Sequence, residues 1–184
     1  MPDSAAPVVR TEALFLRHLR LDDTAPFFRL SQEQGMREWL PDQVYADEAG
    51  AFQVLRSLIS QYSPSANPCN TPYVLAVCLA ASGEVIGHVG FSPCEYGVEV
   101  GYAIGEAHRN RGYARQALFA ASTWALSRFS LPFAHAIVAA ANVGSCKVLE
   151  SCGFQMLSAN RRKLHGVECA VRIYGFYDVT GREA

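Results

Sequence analysis

The residues best suited to chemistry lie between Glu99 and Leu118, EVGYAIGEAHRNRGYARQAL. A strand-like run, Val98 to Ile104, enters a basic turn, His108 to Arg111. Gly112 and an alanine-rich helical stretch follow. A strand that ends in a glycine-bearing turn and opens a helix presents free backbone N–H groups and the positive end of a helix dipole. That arrangement can hold phosphate. The same hexamer, Arg109 to Ala114, also fits a solvated basic turn at the start of an ordinary helix. A second stretch, Ala139 to Phe154, reads AAANVGSCKVLESCGF. Asn142 ends a strand there and caps a helix, Ser145 falls in the first turn, and Val148 and Leu149 face a core.

Composition bounds what those stretches serve. Half of the 184 residues are hydrophobic and 18% are charged, which suits one globular domain with a sizeable core and excludes a disordered chain. The formal net charge of -1 argues against a dedicated nucleic-acid binder, whose surface carries a basic excess. It leaves room for a local basic pocket. No run approaches the roughly 18 apolar residues of a membrane helix, so no membrane partner is expected. The opening MPDSAAPVVR lacks a charged head followed by an apolar core and does not read as a signal peptide.

The six cysteines, Cys69, Cys78, Cys94, Cys146, Cys152 and Cys169, form no C-x-x-C pair and read as reduced thiols of a cytoplasmic protein. Cys146, Cys152, His165 and Cys169 have spacings loosely like a zinc site. But Cys146 and Cys152 share one predicted helix, where six residues put them ~120° apart around the axis and ~9 Å apart along it. Two ligands of one tetrahedral zinc lie much closer, so no metal is expected.

The elements that must position these residues follow from periodicity. Residues 1–10 are small and Pro-rich and read as a flexible tail before a single domain over residues 11–180. Thr11 to Leu19 reads as a first strand. Leu21-Asp22-Asp23 caps a helix over Thr24 to Leu30, with Pro26 in its opening turn. A second helical stretch ends at Trp39-Leu40-Pro41. Ala49, Phe52, Leu55, Ile59 and Tyr62 fall at helical spacing over Asp47 to Tyr62, the stripe of a packed helix. After the loop Ser63 to Thr71 come strands over Tyr73 to Ala80 and Glu84 to Phe91, joined at Ser82-Gly83, and then Val98 to Ile104.

A helix over Tyr113 to Phe129 and a buried strand over Pro132 to Ala140 follow. Next is a helix over Asn142 to Ser151, closed by Gly153. Strands starting at Phe154 to Leu157 and over Ala170 to Asp178 end the chain. The order β-α-α-β-β-β-α-β-α-β-β predicts an α+β domain. Its central sheet is mixed and mostly antiparallel, with six to seven strands and helices on both faces. Neither G-x-G-x-x-G nor G-x-x-x-x-G-K-[ST] occurs.

Arg109-Asn110-Arg111-Gly112-Tyr113-Ala114 fits R/Q-x-x-G-x-G/A and resembles the acetyl-CoA pyrophosphate loop of the GNAT N-acetyltransferases. The preceding E-V-G-Y-A-I-G is similar to the strand before that loop in the ribosomal-protein-alanine (RimJ/RimL-like) branch. So is the opening T-E-x-L-x-L-R-x-L-x-x-x-D. The later A-x-N-x-x-S-x-x-V-L-E-x-x-G-F is similar to the second signature of that family, in the right order along the chain. The resemblance runs from about Thr11 to about Asp178.

That resemblance implies an enzyme moving an acetyl group from acetyl-CoA to a primary amine, either a protein N-terminus or a small-molecule amine. Transfer is by direct attack in a ternary complex. Backbone N–H groups of Arg109, Asn110, Arg111, Gly112, Tyr113 and Ala114 are implied to hold the pyrophosphate. The pantetheine arm is implied to run between Ala103 and Ile137 and to pair with backbone at Tyr102, Ala103 and Ile104. The N–H of Ile104 or a close neighbour would polarise the thioester carbonyl. The Arg109 and Arg111 side chains either offset phosphate charge or point to water. Asn142 holds the helix start and contacts the pantetheine. Ser145 matches the serine that protonates the departing thiolate in that branch, or else bonds its own helix start. Many family members use a tyrosine as acid, and none follows at that place here.

The attacking amine must be neutral, and with a pKa of ~8 for an α-amine or ~10.4 for a lysine-like one, a base is useful, directly or through water. Glu99, which shares a strand face with Gly101 and Ala103, leads as that base against a solvent-facing reading. Glu95, His88, His135 and Glu168 are weaker rivals. A covalent route through Cys146 is disfavoured because helix phase turns it away from Ser145. Homodimers are common in the family. A second functional class stays open: a non-catalytic acyl-CoA-binding sensor or scaffold of the same fold.

Overall fold

The alternation of Leu14 and Leu16 with Phe15 and Arg17 sets the two faces of the sheet. Leu14 and Leu16 enter the main core, whereas Phe15 packs on the opposite side. The computed structural model describes residues 6–177. Its strands are β1 (Val9–Arg10), β2 (Leu14–His18), β3 (Tyr73–Leu79), β4 (Val85–Cys94), β5 (Gly97–Ile104), β6 (Phe133–Ala139), β7 (Gln155–Leu164) and β8 (Val167–Tyr177). The helices are α1 (Thr24–Ser31), α2 (Gln34–Trp39), α3 (Glu48–Ser60), α4 (Tyr113–Phe129) and α5 (Val143–Ser151). All the strands form one eight-stranded sheet in the order β1-β2-β3-β4-β5-β6-β8-β7. Neighbours are antiparallel except β5 and β6, which are parallel.

On one face, α4 lays Ala117, Leu118, Ala121 and Ala125 against Leu75, Val77, Val89 and Phe91, and α5 adds Cys146 and Leu149. The small side chains of α4 let the helix lie close to the sheet. On the other face, Phe27 of α1 and Leu55 of α3 cover Ala76 and Cys78, while Leu30 and Met36 cover Ala103. Arg17 and Asp23 meet there in a buried, two-pronged pair at 2.7 and 2.8 Å. Asp23 also accepts from the Arg20 N–H at 2.8 Å, which fixes the turn into α1.

The mixed, mostly antiparallel sheet with helices on both faces matches expectation, but the strand count does not. Eight strands replace six to seven. Val9 and Arg10, expected in the tail, pair with Leu16 and Phe15. Three helices separate β2 from β3, one at each of the helical stretches read from the sequence, although the predicted order carried only two. The last two strands are long arms of a hairpin that turns at His165 and Gly166, both with positive φ. Residues 160–163 carry no alternation because β7 is exposed along nearly its whole length on both faces. Residues 1–5 and 178–184, including Asp178, lie outside the described residues.

Candidate active site

Strands β5 and β6 are in register at a single position among the described residues, Glu99 opposite His135. Beyond it they part and leave a gap in the sheet. The direction of the β5 N–H groups follows from the ladder on its other side. Gly105 N–H donates to the Ile86 carbonyl at 2.8 Å, and Ile104 lies opposite Gly87. Ile104 is thus in a non-hydrogen-bonded pair, and such pairs alternate along an antiparallel ladder. The N–H groups of Tyr102 and Ile104 point away from β4, into the gap. The Ala103 peptide groups are taken by His88 of β4, so only two of the three expected backbone positions are available.

The turn after β5 lies where the sequence placed it and opens α4. Asn110 and Gly112 take left-handed backbone, with φ of 61° and 76°. The first bond within α4, from Gln116 N–H to the Gly112 carbonyl, is 3.1 Å long. It leaves the N–H groups of Gly112, Tyr113, Ala114 and Arg115 without a carbonyl one turn back. Arg111 is exposed and free to face an anion. Arg109 is not: its Nε donates to the Ile104 carbonyl at 3.0 Å, and its guanidinium lies 3.7 Å from Glu33 and 3.6 Å from Glu106. Glu106 in turn accepts from Gly35 N–H at 3.1 Å, while its own N–H donates to Glu33 at 2.9 Å. Arg109 thus ties the α1–α2 corner to the end of β5, a partnership that no local motif announces.

Glu99 is half-buried at the mouth of the gap, on the α1–α3 face with His135. Burial raises its pKa. The Ile137 N–H, together with the charges of Arg162 and His165, pulls the other way. Its carboxylate therefore meets one of the amides that the parting of β6 sets free. On the opposite face Tyr102 reaches across the gap to α5, its hydroxyl 3.1 Å from Ser145 Oγ. Asn142 Oδ1 accepts from Ser145 N–H at 3.0 Å, so Asn142 caps α5 as its residue type predicts. Ser145 Oγ is joined to Tyr102 and not to its own helix start. Sequence reasoning assigned Tyr102 through its backbone and missed this side-chain role. Side chains alternate along a strand, so the even-numbered residues of β5 had to face α5.

Of the rival residues His135 lies opposite Glu99, and the others sit elsewhere. His88 is buried beneath Phe27 and bonds Gln43 at 3.0 Å. Glu95 is exposed in the β4–β5 turn and pairs with Arg162 at 3.3 Å. Glu168 is exposed near the tip of the last hairpin. Cys146 is buried in the core. A feature absent from the sequence reading is the closure over the α1–α3 face: Asp42, after α2, meets His165 Nδ1 of the hairpin tip at 2.5 Å. Among the described residues no group of three or more His, Cys, Asp or Glu side chains gathers in a metal-binding arrangement. No described helix is long and apolar enough to cross a membrane.

Comparison with known proteins places this arrangement. Residues 13–155 match the family model described as the acetyltransferase (GNAT) domain. The uncharacterized N-acetyltransferase YjdG of Bacillus subtilis (strain 168) is 39% identical over 74 residues, which make up 39% of this chain and 44% of that protein. The match thus spans less than half of that relative. The crystal structure of a GNAT-family acetyltransferase from Bacillus anthracis superposes with a TM-score of 0.78 at 17% identity, covering 92% of this chain and 97% of that one. RimL, a ribosomal L7/L12 alpha-N-protein acetyltransferase in complex with coenzyme A, superposes with a TM-score of 0.76 at 16% identity, covering 94% and 98%. At such identities the structural likeness speaks for the fold, and the family model, which spans most of the sequence, decides the rest: the chain belongs to the GNAT acetyltransferase family.

Proposed function

We propose that this chain transfers an acetyl group from acetyl-CoA to a primary amine by direct attack within a ternary complex. The observation that carries this reading is the gap between β5 and β6, with Glu99 at its mouth on one face and Ser145 with Tyr102 on the other. The residues present suit the cofactor. Four freed N–H groups at a helix start are a cradle for pyrophosphate, and Gly112 turns the chain into them with no side chain in the way. When bound, acetyl-CoA supplies the acyl group as a thioester. The Tyr102 and Ile104 N–H groups suit the pantetheine amides and the carbonyl oxygen on which negative charge builds.

Glu99, whose pKa burial raises, accepts the proton of the incoming amine, directly or through water. Ser145 hands its proton to the departing sulfur on the other side of the gap and is reprotonated from solvent. The acid and base thus work from opposite faces, so the amine enters from α1–α3 and the thiol leaves toward α5. The acceptor is a primary amine, either a peptide or protein N-terminus of the kind named for RimL or a small-molecule amine. The test is thermal stabilisation by acetyl-CoA, followed by CoA release against amines and N-terminal peptides. Stabilisation with release for one acceptor class is expected. Stabilisation with no release on any acceptor would favour a binding module, and no stabilisation would sink the cofactor assignment.

A further inference from the structure

Beside Glu99 lies a cavity of about 190 Å³ that no group of the proposed reaction fills. Tyr96, His135, Leu157, Ser158, Asn160 and Ile173 line it. His135 is the register partner of Glu99, and paired residues of neighbouring strands point to the same face, about 5 Å apart. The Arg162 guanidinium sits over the Tyr96 ring at 5.9 Å, pairs with Glu95, and acts on Glu99 by its charge.

The lining fixes the chemistry of an occupant. None of the lining residues carries a fixed charge. His135 is only 8% exposed, its ring lies among Tyr96 and Phe133, and its Nδ1 has no hydrogen-bond partner among the described residues. Burial lowers the imidazole pKa, which keeps the ring neutral. Ser158 and Asn160 offer further polar atoms at the rim. Leu157 leans across Gly175, where a Cβ would come within 2.9 Å of it, so the glycine gives Leu157 its place in the wall. A dry cavity of roughly 150 Å³ takes up benzene. The space beside Glu99 is therefore that of a ring-sized side chain with one polar atom to meet Ser158 or Asn160 at the rim.

We propose that this cavity receives the side chain next to the reacting amine and selects acceptors whose neighbouring substituent is uncharged, ring-sized and bears a hydroxyl or amide. The inference rests on the acetyltransferase reading, with the amine at Glu99. It points to α-amines, whose side chain branches one atom from the nitrogen, over lysine-like amines that have no branch there.

The experiment measures initial CoA release from tyrosinamide, phenylalaninamide, alaninamide, glutamic acid α-amide and arginine amide, with wild type and with Ser158→Trp, which fills the cavity. Stabilisation by acetyl-CoA is recorded for both proteins as evidence of folding. The expected kcat/KM order is tyrosinamide, phenylalaninamide, alaninamide and then the charged pair, with at least about tenfold between tyrosinamide and alaninamide. In Ser158→Trp that ratio falls to near one while stabilisation by acetyl-CoA persists. Equal rates across the panel, or an unchanged order in Ser158→Trp, overturns the proposal. Stabilisation with no release from any amide overturns it too and leaves the cofactor reading standing. No stabilisation of wild type overturns the acetyltransferase reading itself, and this inference with it.

Discussion

The Tyr102 hydroxyl lies 3.1 Å from Ser145 Oγ and bridges β5 to the first turn of α5 across the parting of β5 and β6. Burial pushes the Tyr102 phenol up to about 12, so near neutral pH it remains an O–H donor. When Tyr102 donates to a Ser145 lone pair, the serine proton is left to turn elsewhere, toward the gap. Tyr102→Phe removes that one bond and keeps the ring. A hydrogen bond of this kind is worth about 1 kcal/mol, so kcat should fall about threefold to tenfold with the acetyl-CoA KM nearly unchanged. In a Tyr102→Phe/Ser145→Ala double variant the loss should equal that of Ser145→Ala alone. Steady-state kinetics on the three variants checks this, and fully additive losses would mean that the two hydroxyls work separately.

Glu99→Gln keeps an oxygen for the Ile137 N–H and removes the proposed base. Burial raises the Glu99 pKa, so in wild type the carboxylate takes up its proton, and activity falls, at a higher pH than an ordinary glutamate would impose. The variant should lose on the order of a hundredfold in turnover below the amine pKa, with little change in acetyl-CoA affinity. At high pH, where the amine is already neutral, the two proteins should converge. A pH–rate profile with an α-amine acceptor reads this, and a variant with normal turnover at every pH removes Glu99 as base.

Gly112 stands at φ 76° directly before the freed N–H groups of α4. Gly112→Glu puts both left-handed strain and a negative charge at the proposed phosphate cradle, and should abolish stabilisation by acetyl-CoA. Gly112→Ala adds only the strain, about 1 kcal/mol, and should weaken binding by about fivefold to tenfold. Thermal shift titrations with acetyl-CoA give the order. Unchanged affinity in Gly112→Glu would place the pyrophosphate elsewhere.

What could be read in the sequence follows a physical line. The turn Arg109 to Ala114, the Asn142 cap and the alternation in β3 to β5 are local, so spacing and residue type predicted them. The start of β7 is legible at Phe154 to Leu157, but its continuation is not, because both its faces are wet over Asn160 to Lys163 and leave no period to detect. Val9–Arg10 is too short to carry a pattern. At the site, Glu99 fell where strand phase put it. The Arg109 side chain did not, because Glu33 comes from a distant helix corner that only the tertiary fold brings near. The pairs Tyr102 with Ser145 and Asp42 with His165 were hidden for the same reason.

His88 shows how the site face responds to acid. It is 7% exposed, its Nε2 lies 3.0 Å from Gln43 Oε1, and the Phe27 ring stacks on it at 5.5 Å. Burial pushes the imidazole down to about 4 from an ordinary value of about 6.5. The unfolded chain therefore takes up this proton as pH drops through about 6.5, while the folded chain resists until about 4. Stability is lost as pH falls through that window, to a total of about 3 kcal/mol from this residue. His88→Gln has no such proton to bind. Its unfolding free energy should decline less between pH 7 and pH 4 than that of wild type, by about that amount. Urea melts of the two proteins across the range measure the difference. Parallel curves would mean that His88 meets solvent in both states, and that the packing of α1 over β4 is looser than its stacked ring implies.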